Sequence, residues 1–311
     1  LFAIFTSLGS FGAGSAFQVS QSMGAVQTQI SFFQQVPVAY GLLMAIAIGL
    51  VIIGGLRRIA HVAEAVVPSM VLIYVGACLW IIVSNAALVP EALSKIVLEA
   101  FSPVAVEGGM VGALVQGFKR AVFSSEAGLG SAAIAHSAAS VKYPVRQGLV
   151  ALYEPFIDTV VICTMTALVI VITGVYAVTE YESIRAASHG ATLTSAAFAT
   201  AFDWFPAILA LSVVLFAYST AISWSYYGER CWVYVFGERF SILYKVIFIG
   251  FVIVASVASA SSLLDFTDLL VLSMAFPNLV GLYVLSGKVK SALAEYEARL
   301  ASGEMDRETL L

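Results

Sequence analysis

Apolar residues form long runs along most of this chain, and short polar connectors separate them. Several runs approach the ~20 residues that a helix needs to cross a bilayer. The pattern predicts eight membrane spans, seven ordinary and one broken, at residues 1–24, 36–55, 65–84, 123–136, 148–176, 205–227, 246–264 and 269–287. The alternating pattern of outer-membrane barrel strands is absent. The fold class is therefore predicted as all-α and polytopic.

The connectors differ in length and polarity. Residues 87–107 mix charged and apolar positions, which favours a short interfacial helix. Residues 177–203 form the longest polar loop. The last span contains Pro277 and Asn278, which predict an interruption. The polar residues after this span suggest two regions, a transmembrane domain at 1–287 and a polar cytoplasmic tail at 288–311.

The broken span, FSSEAGLGSAAIAH at 123–136, is the strongest site candidate. Backbone groups without a partner are costly in hydrocarbon, so a Gly-interrupted segment at that depth must be buried in protein or line a cavity. Broken helices of this kind point to substrate sites in secondary transporters. Glu126 has two interpretations: a functional carboxylate facing a cavity, or a cap that accepts from N–H groups freed near Gly128 and Gly130.

Composition excludes a soluble domain. Hydrophobic residues make up 60% of the chain, charged residues only 11%, and the mean hydropathy is +0.97, whereas soluble domains carry roughly 25% charged residues. A basic nucleic-acid patch, a nucleophile elbow, a phosphate loop and zinc spacing are all missing from the sequence, so we expect neither a nucleic-acid partner nor an enzyme. The three cysteines are widely separated and are interpreted as structural.

The distribution of Lys and Arg predicts an orientation. Of the fifteen such residues, Lys95 and Arg185 fall on one side of the predicted spans, and Lys119 and Arg120 beside the broken span are not assigned. The other eleven fall on the opposite side: Arg57, Arg58, Lys142, Arg146, Arg230, Arg239, Lys245, Lys288, Lys290, Arg299 and Arg307. The positive-inside rule makes that side cytoplasmic. The C-terminus is therefore predicted inside and the loop 177–203 outside.

Other polar residues within the spans have alternative interpretations. Ser219 and Thr220 provide hydroxyls that suit a hard cation, although such hydroxyls more often bond carbonyls of their own helix. Glu154 and Asp158 lie four residues apart and belong either to a proton or cation path or to a structural anchor. Gln18 either bonds a neighbouring helix or lines a pathway.

Two further side chains near the cytoplasmic ends of spans favour structural interpretations. Trp224, with Tyr227, fits an ordinary interfacial aromatic belt. His136, at the inner end of the broken span, is interpreted as structural.

The stretch KRAVFSSEAGLGSAAIAH resembles the alanine or glycine:cation symporter family, which includes the bacterial sodium:alanine symporters. The resemblance covers nearly the whole chain, through FGAGSAFQ (11–18), IIGGLRRIAHVAEAVVP (52–68), KYPVRQGLVA (142–151), FIDTVVICTMTALV (156–169), LFAYSTAISWSYYGER (215–230) and MAFPNLVGL (274–282).

The resemblance implies a leucine-transporter-type fold with two five-helix inverted repeats. On that comparison the chain begins at the third core helix and lacks the first two, so an N-terminal truncation is expected. Residues 123–131 then correspond to the sixth core helix and the run 205–227 to the eighth. The first core helix would supply the other half of the site.

The resemblance also implies site residues. Substrate binding is expected at Gln18, Phe123, Ser125, Glu126, Ala127, Gly128 and Trp224, and Na⁺ binding at Ser219 and Thr220. The implied function is secondary active import of a small neutral amino acid, alanine or glycine, with co-transported Na⁺, across the bacterial inner membrane. The alternatives are a proton-coupled transporter that uses Glu126 or Asp158, and an inactive truncated remnant.

Overall fold

Helices are the regular structure of the part of the protein that the structure describes. A computed structural model describes residues 1–101 and 103–303, and those residues contain no β-strand. The first half contains α1 (Phe2–Gly9), α2 (Phe17–Gln27), α3 (Phe32–Gln35), α4 (Pro37–Ile52), α5 (Gly55–Ser84), α6 (Val89–Ala100), α7 (Pro103–Ser125) and α8 (Ser131–His136). The second half contains α9 (Pro144–Ala151), α10 (Tyr153–Pro155), α11 (Thr164–Thr173), α12 (Glu182–Ala186), α13 (Gly190–Ala199), α14 (Phe205–Phe236), α15 (Ser241–Val254) and α16 (Ala260–Ala301).

Two π-helical segments continue α-helices. Ser10–Ala16 joins α1 to α2, and Phe156–Cys163 joins α10 to α11. Single π-turns inside α-helices occur frequently at functional sites. The first of these segments lies beside the candidate site, as described below.

Four helices in the described residues are long and apolar enough to cross a membrane: Gly55–Ser84, Pro144–Thr173, Phe205–Phe236 and Ala260–Ala301. Pro37–Ile52 is apolar but shorter. These helices confirm the all-α class and agree with a membrane protein. The other predicted spans are shorter or interrupted helices, so the count of eight spans and the inverted repeat stay predictions.

Helix α14 lies at the centre of the fold. Its most apolar window is 44% buried inside the chain, against 11% for the equivalent window of Pro144–Thr173. It packs against α1, α2 and α5. The largest buried apolar cluster brings residues of α2, α4, α14 and α15 together, including Val19, Ile48, Ile222 and Phe248. The side chains that α14 presents toward α2 and α7 are therefore held by a packed core.

Close helix contact explains the small residues of the first π-helical segment. A Cβ added at Gly14 would lie 2.3 Å from Cβ of Trp224 on α14. A Cβ at Gly228 would lie 2.2 Å from Oγ of Ser10, and the Ser10 hydroxyl is hydrogen-bonded to the Tyr244 hydroxyl at 2.8 Å. Glycine at these two contacts lets the backbones approach as small residues do between membrane helices.

The last span differs from the prediction. Helix α16 continues through Pro277 to Ala301, so the predicted interruption falls inside one helix, whereas the predicted division into two regions after residue 287 stays a prediction. Pro277 removes one N–H, and the hydrogen bonds on both sides of it maintain the helix. Residues 304–311 of the predicted tail, including Arg307, lie outside the described residues.

The connectors are more ordered than the polarity of their sequences suggests. The predicted helix within 87–107 is observed as α6. The predicted loop 177–203 contains α12 and α13, and Phe198 of α13 is fully buried. The Gln21 amide of α2 donates to the Ser188 carbonyl at 3.0 Å, which attaches this segment to the core.

Candidate functional site

The predicted break is present between α7 and α8. Helix α7 ends at Ser125 and α8 begins at Ser131. Glu126, Gly128 and Gly130 have positive φ angles of 55°, 80° and 96°. Glycine adopts such angles freely, but a glutamate at positive φ is uncommon, and strained residues of this kind cluster at functional sites. The backbone therefore identifies Glu126 as the unusual residue of the break.

The Glu126 side chain is held by two donors. The indole Nε1 of Trp224 donates to Oε1 at 2.8 Å, and the Ser131 hydroxyl donates to Oε2. Trp224 is 4% exposed and belongs to α14, whereas Ser131 opens α8. One carboxylate thus joins the end of α7, the start of α8 and the central helix.

Two of the predicted alternatives can now be decided. The Glu126 carboxylate binds the Ser131 hydroxyl and the Trp224 indole in place of freed N–H groups. The interpretation that Glu126 accepts from N–H groups freed near Gly128 and Gly130 is therefore wrong. The aromatic-belt interpretation is wrong for Trp224, because its ring is buried and bonded to the break.

A cavity of about 240 Å³ lies between the break, the first π-helical segment and α14. Its lining residues come from four helical runs: Ala13, Gln18, Phe123, Ser124, Glu126, Thr220, Trp224 and Val271. Five of the nine site residues expected from the sequence are in this set: Gln18, Phe123, Glu126, Thr220 and Trp224. The structure brings these five together from positions up to about 200 residues apart in the chain.

The polar and aromatic sides of the cavity are fixed by local contacts. The Gln18 amide donates to the Ala13 carbonyl at 3.1 Å, within the π-helical turn. Phe123 contacts Phe17 edge-on with ring centroids 5.4 Å apart, and the Arg120 guanidinium lies over the Phe123 ring, 5.4 Å from its centroid. These contacts limit the orientations of Gln18 and Phe123.

The other four expected site residues do not line this cavity. The Ser125 hydroxyl donates to the Ala121 carbonyl at 2.9 Å, one turn back in its own helix. The Gly128 carbonyl is occupied by a donor from α16, described below. Ala127, between them, is exposed. These residues shape the break without facing the cavity.

Ser219 also lies outside the cavity, although its neighbour Thr220 lines it. The Ser219 hydroxyl is 4% exposed, donates to the Phe216 carbonyl at 3.1 Å and contacts the Met70 sulfur at 3.6 Å. Consecutive helical residues point about 100° apart because a turn has 3.6 residues. The structure therefore does not gather the expected pair of hydroxyls in one place.

A second cavity of about 240 Å³ lies on the other side of the break. Its lining residues are Ser124, Ser125, Glu126, Ala132, Ala135, Glu154, Asp158 and Tyr227. The Ser124 hydroxyl donates to Asp158 Oδ2 at 2.7 Å. Because Ser124 and Glu126 line both cavities, they form the partition between them.

His136 anchors the end of the broken span, as its structural interpretation predicts. Its Nε2 lies 3.0 Å from Oε1 of Glu154, and its Nδ1 lies 2.6 Å from the Gln147 amide nitrogen. Glu154 is therefore part of this anchor and also reaches the second cavity. The structural-anchor interpretation of Glu154 is therefore compatible with a role in a proton or cation path.

Two features of α16 were missed by the sequence analysis. Asp268 forms an ion pair with Arg120 of α7, one turn from the cavity residues Val271 and Phe123. Asn278 donates from Nδ2 to the Gly128 carbonyl at 2.8 Å. The Pro-Asn pair was visible in the apolar run, but it was interpreted as an interruption of the helix.

Comparison with known proteins agrees with the family resemblance found in the sequence. The model of the sodium:alanine symporter family matches residues 1–309. A sodium/alanine symporter, AgcS, of Methanococcus maripaludis is 38% identical, over 93% of this chain and 63% of its own length. An uncharacterized transporter of Haemophilus influenzae is 36% identical, over 100% of this chain and 68% of its own.

A sodium/proton-dependent alanine carrier protein of Bacillus sp. strain PS3 is 32% identical, over 85% of this chain and 62% of its own length. The chain thus spans about two thirds of the length of these relatives.

Proposed function

The chain belongs to the sodium:alanine symporter family, and we propose that the full-length protein imports a small neutral amino acid, alanine or glycine, together with Na⁺ by alternating access. Family membership supports the broader class, amino-acid:cation symport. The substrate, the coupling ion and the residues that bind them are our proposal.

The observation that carries the proposal is the cavity at the break. Its volume of about 240 Å³ is below the roughly 300–1,000 Å³ of pockets for drug-sized ligands, which suits an amino acid with a short side chain. Phe123 and Trp224 limit the side chain of the substrate. The Glu126 carboxylate attracts the substrate ammonium group, and Gln18 offers a polar wall.

Thr220 carries the proposal for the cation, because its side chain lines the same cavity. A hydroxyl oxygen suits a hard cation, and a cation bound beside the substrate favours the same conformation. Each ligand then raises the affinity of the other by an equal factor. Ser219 would join Thr220 only through a rotation of α14, because its hydroxyl now faces Met70.

Proteoliposomes containing the full-length protein test this function. We expect an inward Na⁺ gradient to drive accumulation of radiolabelled L-alanine, and we expect unlabelled glycine to compete. Replacement of Na⁺ by K⁺ on both sides serves as the control and should abolish accumulation. Equal alanine accumulation with K⁺ alone would overturn Na⁺ coupling.

Proton coupling is the second candidate, and the second cavity favours it. Glu126 separates the two cavities, and Asp158 and Glu154 line the second one. Carboxylates inside membrane proteins commonly form proton relays. Uptake that follows a pH gradient without Na⁺, and that loses this response in Glu126→Gln, would support this candidate over Na⁺ coupling.

We also propose the orientation that the charges indicate, in a bacterial inner membrane. The connector with Arg57 and Arg58 and the C-terminal end of α16 would then face the cytoplasm. Cysteines introduced at residue 290 and at residue 185 test this in intact cells. A membrane-impermeant maleimide should label residue 185 and should label residue 290 only after lysis.

A further inference from the structure

Asn278 contacts both sides of the turn that separates α7 from α8. Its Nδ2 donates to the Gly128 carbonyl at 2.8 Å. A Cβ added at Gly130 would lie 2.7 Å from its Oδ1. The amide of one α16 side chain therefore spans the segment in which Gly128 and Gly130 have positive φ angles.

The surroundings of Asn278 make this contact informative. The neighbouring side chains Phe276 and Val280 are 80% and 60% exposed on an apolar helix. A polar amide in such surroundings costs free energy unless it is hydrogen-bonded. The simplest explanation would be a bond within its own helix.

Two serines of α16 follow that simple explanation. The Ser273 hydroxyl donates to the Leu269 carbonyl at 2.6 Å, and the Ser286 hydroxyl donates to the Tyr283 carbonyl at 2.7 Å. Asn278 instead reaches 150 positions back in sequence, to a carbonyl that the break has removed from helical bonding. A freed carbonyl in a membrane span requires such a partner.

The contact leads directly to the Glu126 carboxylate. Gly128 is two residues after Glu126, and Gly130 immediately precedes Ser131, which donates to that carboxylate. Between them, Leu129 is fully buried and packs in one cluster with Trp224. The position of Gly128 and Gly130 thus sets where Glu126 meets its two donors.

Helix α16 holds the broken helix at a second point. Asp268, Val271 and Asn278 recur at spacings of three and seven residues, which places them on one helix face. Asp268 pairs with Arg120 before the break, Val271 lines the cavity, and Asn278 bonds the break itself. The cavity is therefore framed by two polar contacts from one helix.

We propose that Asn278 is a positioning residue for the transport site: its amide fixes the unwound segment so that Glu126 faces the cavity between Trp224 and Ser131. This role rests on the proposed function. Asn278 itself does not line the cavity, so it acts on the substrate through Glu126.

The test uses the full-length protein with Trp224 as its only tryptophan, after replacing Trp80, Trp204, Trp232 and any tryptophan outside residues 1–311 by Phe. Asn278→Leu removes the donor and keeps the shape, and Asn278→Asp removes the donor and keeps the size. Ser286→Ala is the matched control, because it removes a hydroxyl of α16 that bonds only its own helix.

We expect both Asn278 variants to raise the half-saturating alanine concentration about three- to tenfold, the range of one hydrogen bond. The maximal rate should stay close to that of the parent, and the thermal unfolding temperature should fall only slightly, because the Gly128 carbonyl loses its donor. Trp224 emission should change in wavelength, since Nε1 loses its fixed carboxylate partner. Ser286→Ala should match the parent in every measurement.

Parent-like half-saturation and emission in both variants would overturn the proposal. Loss of stability and maximal rate with unchanged half-saturation would also overturn it, because that result indicates a structural role alone. The emission does not depend on transport, so a parent without Na⁺-driven uptake would refute the proposed function while the comparison of emission still tests the position of Glu126.

Discussion

The Trp224 indole donates a hydrogen bond to the Glu126 carboxylate across 2.8 Å, and this bond connects the central helix α14 to the break between α7 and α8. Both residues line the same cavity. A movement of α14 relative to α7 would therefore change the direction in which the carboxylate points, which is the kind of change that alternating access requires.

Trp224→Phe should weaken substrate binding. The variant keeps an aromatic ring in the cavity but removes the donor to Glu126, and bonds to charged groups contribute about 1.5–3 kcal/mol. We expect the half-saturating alanine concentration in Na⁺-driven uptake to rise by at least tenfold. Trp80→Phe is the control, since Trp80 is 54% exposed and does not line the cavity. Equal effects of the two substitutions would contradict a specific role for the Trp224 bond.

Gly14→Ala should disrupt the contact between the first π-helical segment and α14. The added Cβ would lie 2.3 Å from Cβ of Trp224, too close for either helix to accommodate without a backbone shift. Overpacking of this kind costs about 1–3 kcal/mol. We expect a lower unfolding temperature and loss of alanine uptake.

Gly76→Ala is the matched control for this variant. Gly76 lies inside α5, and a Cβ there would meet nothing within 4 Å. Alanine favours a helix over glycine by about 1 kcal/mol, so this control should be neutral or slightly stabilising. A Gly14→Ala protein as stable and active as Gly76→Ala would show that the approach of Trp224 to the π-helical segment is not needed.

Local signals and tertiary contacts explain which parts of this site were predictable. The break was visible because a carboxylate and two glycines interrupt an apolar run, and those residues determine their own backbone. The bond from Asn278 to Gly128 was not visible, because it joins residues 150 positions apart and depends on how α16 packs. The same limit applied to Ser219, whose direction is set by its contact with Met70 on α5.

The extents of the helices were likewise only partly predictable from the local sequence. Pro277 alone favours an interruption, yet α16 continues because the residues on either side supply enough helical hydrogen bonds. The polarity of residues 177–203 predicts a loop. This stretch nevertheless contains α13, which is stabilised because Phe198 is buried against α14 and its neighbours. In the first case helical hydrogen bonds outweighed a local preference of about 3 kcal/mol, and in the second case packing outweighed the polarity of the sequence.

The ion pair between Arg120 and Asp268 should be strongly coupled. The Asp268 side chain is 12% exposed and the Arg120 side chain 38%, so removal of Arg120 alone leaves a mostly buried carboxylate without its partner. Breaking a fully buried pair costs about 3–5 kcal/mol, and the exposure of Arg120 should reduce this to about 1–3 kcal/mol. We expect Arg120→Ala to lower the unfolding temperature.

A double-mutant cycle measures this coupling directly. Arg120→Ala combined with Asp268→Ala should destabilise the protein by less than the sum of the two single substitutions. Additive losses would mean that the pair contributes no interaction free energy to the folded state.

The neighbouring hydroxyls of α14 separate two hypotheses about the cation. Thr220 lines the cavity, whereas Ser219 bonds Phe216 and faces Met70. Thr220→Val keeps the shape of the side chain and removes the oxygen, so we expect the half-saturating Na⁺ concentration to rise about tenfold, equivalent to about 1.4 kcal/mol. Ser219→Ala should change it by less than about twofold, because that hydroxyl already bonds its own helix. The measurement is alanine uptake as a function of Na⁺ at saturating alanine. If Ser219→Ala raises the Na⁺ requirement and Thr220→Val does not, the cation binds on the Met70 side of α14, and the cavity at the break holds the amino acid alone.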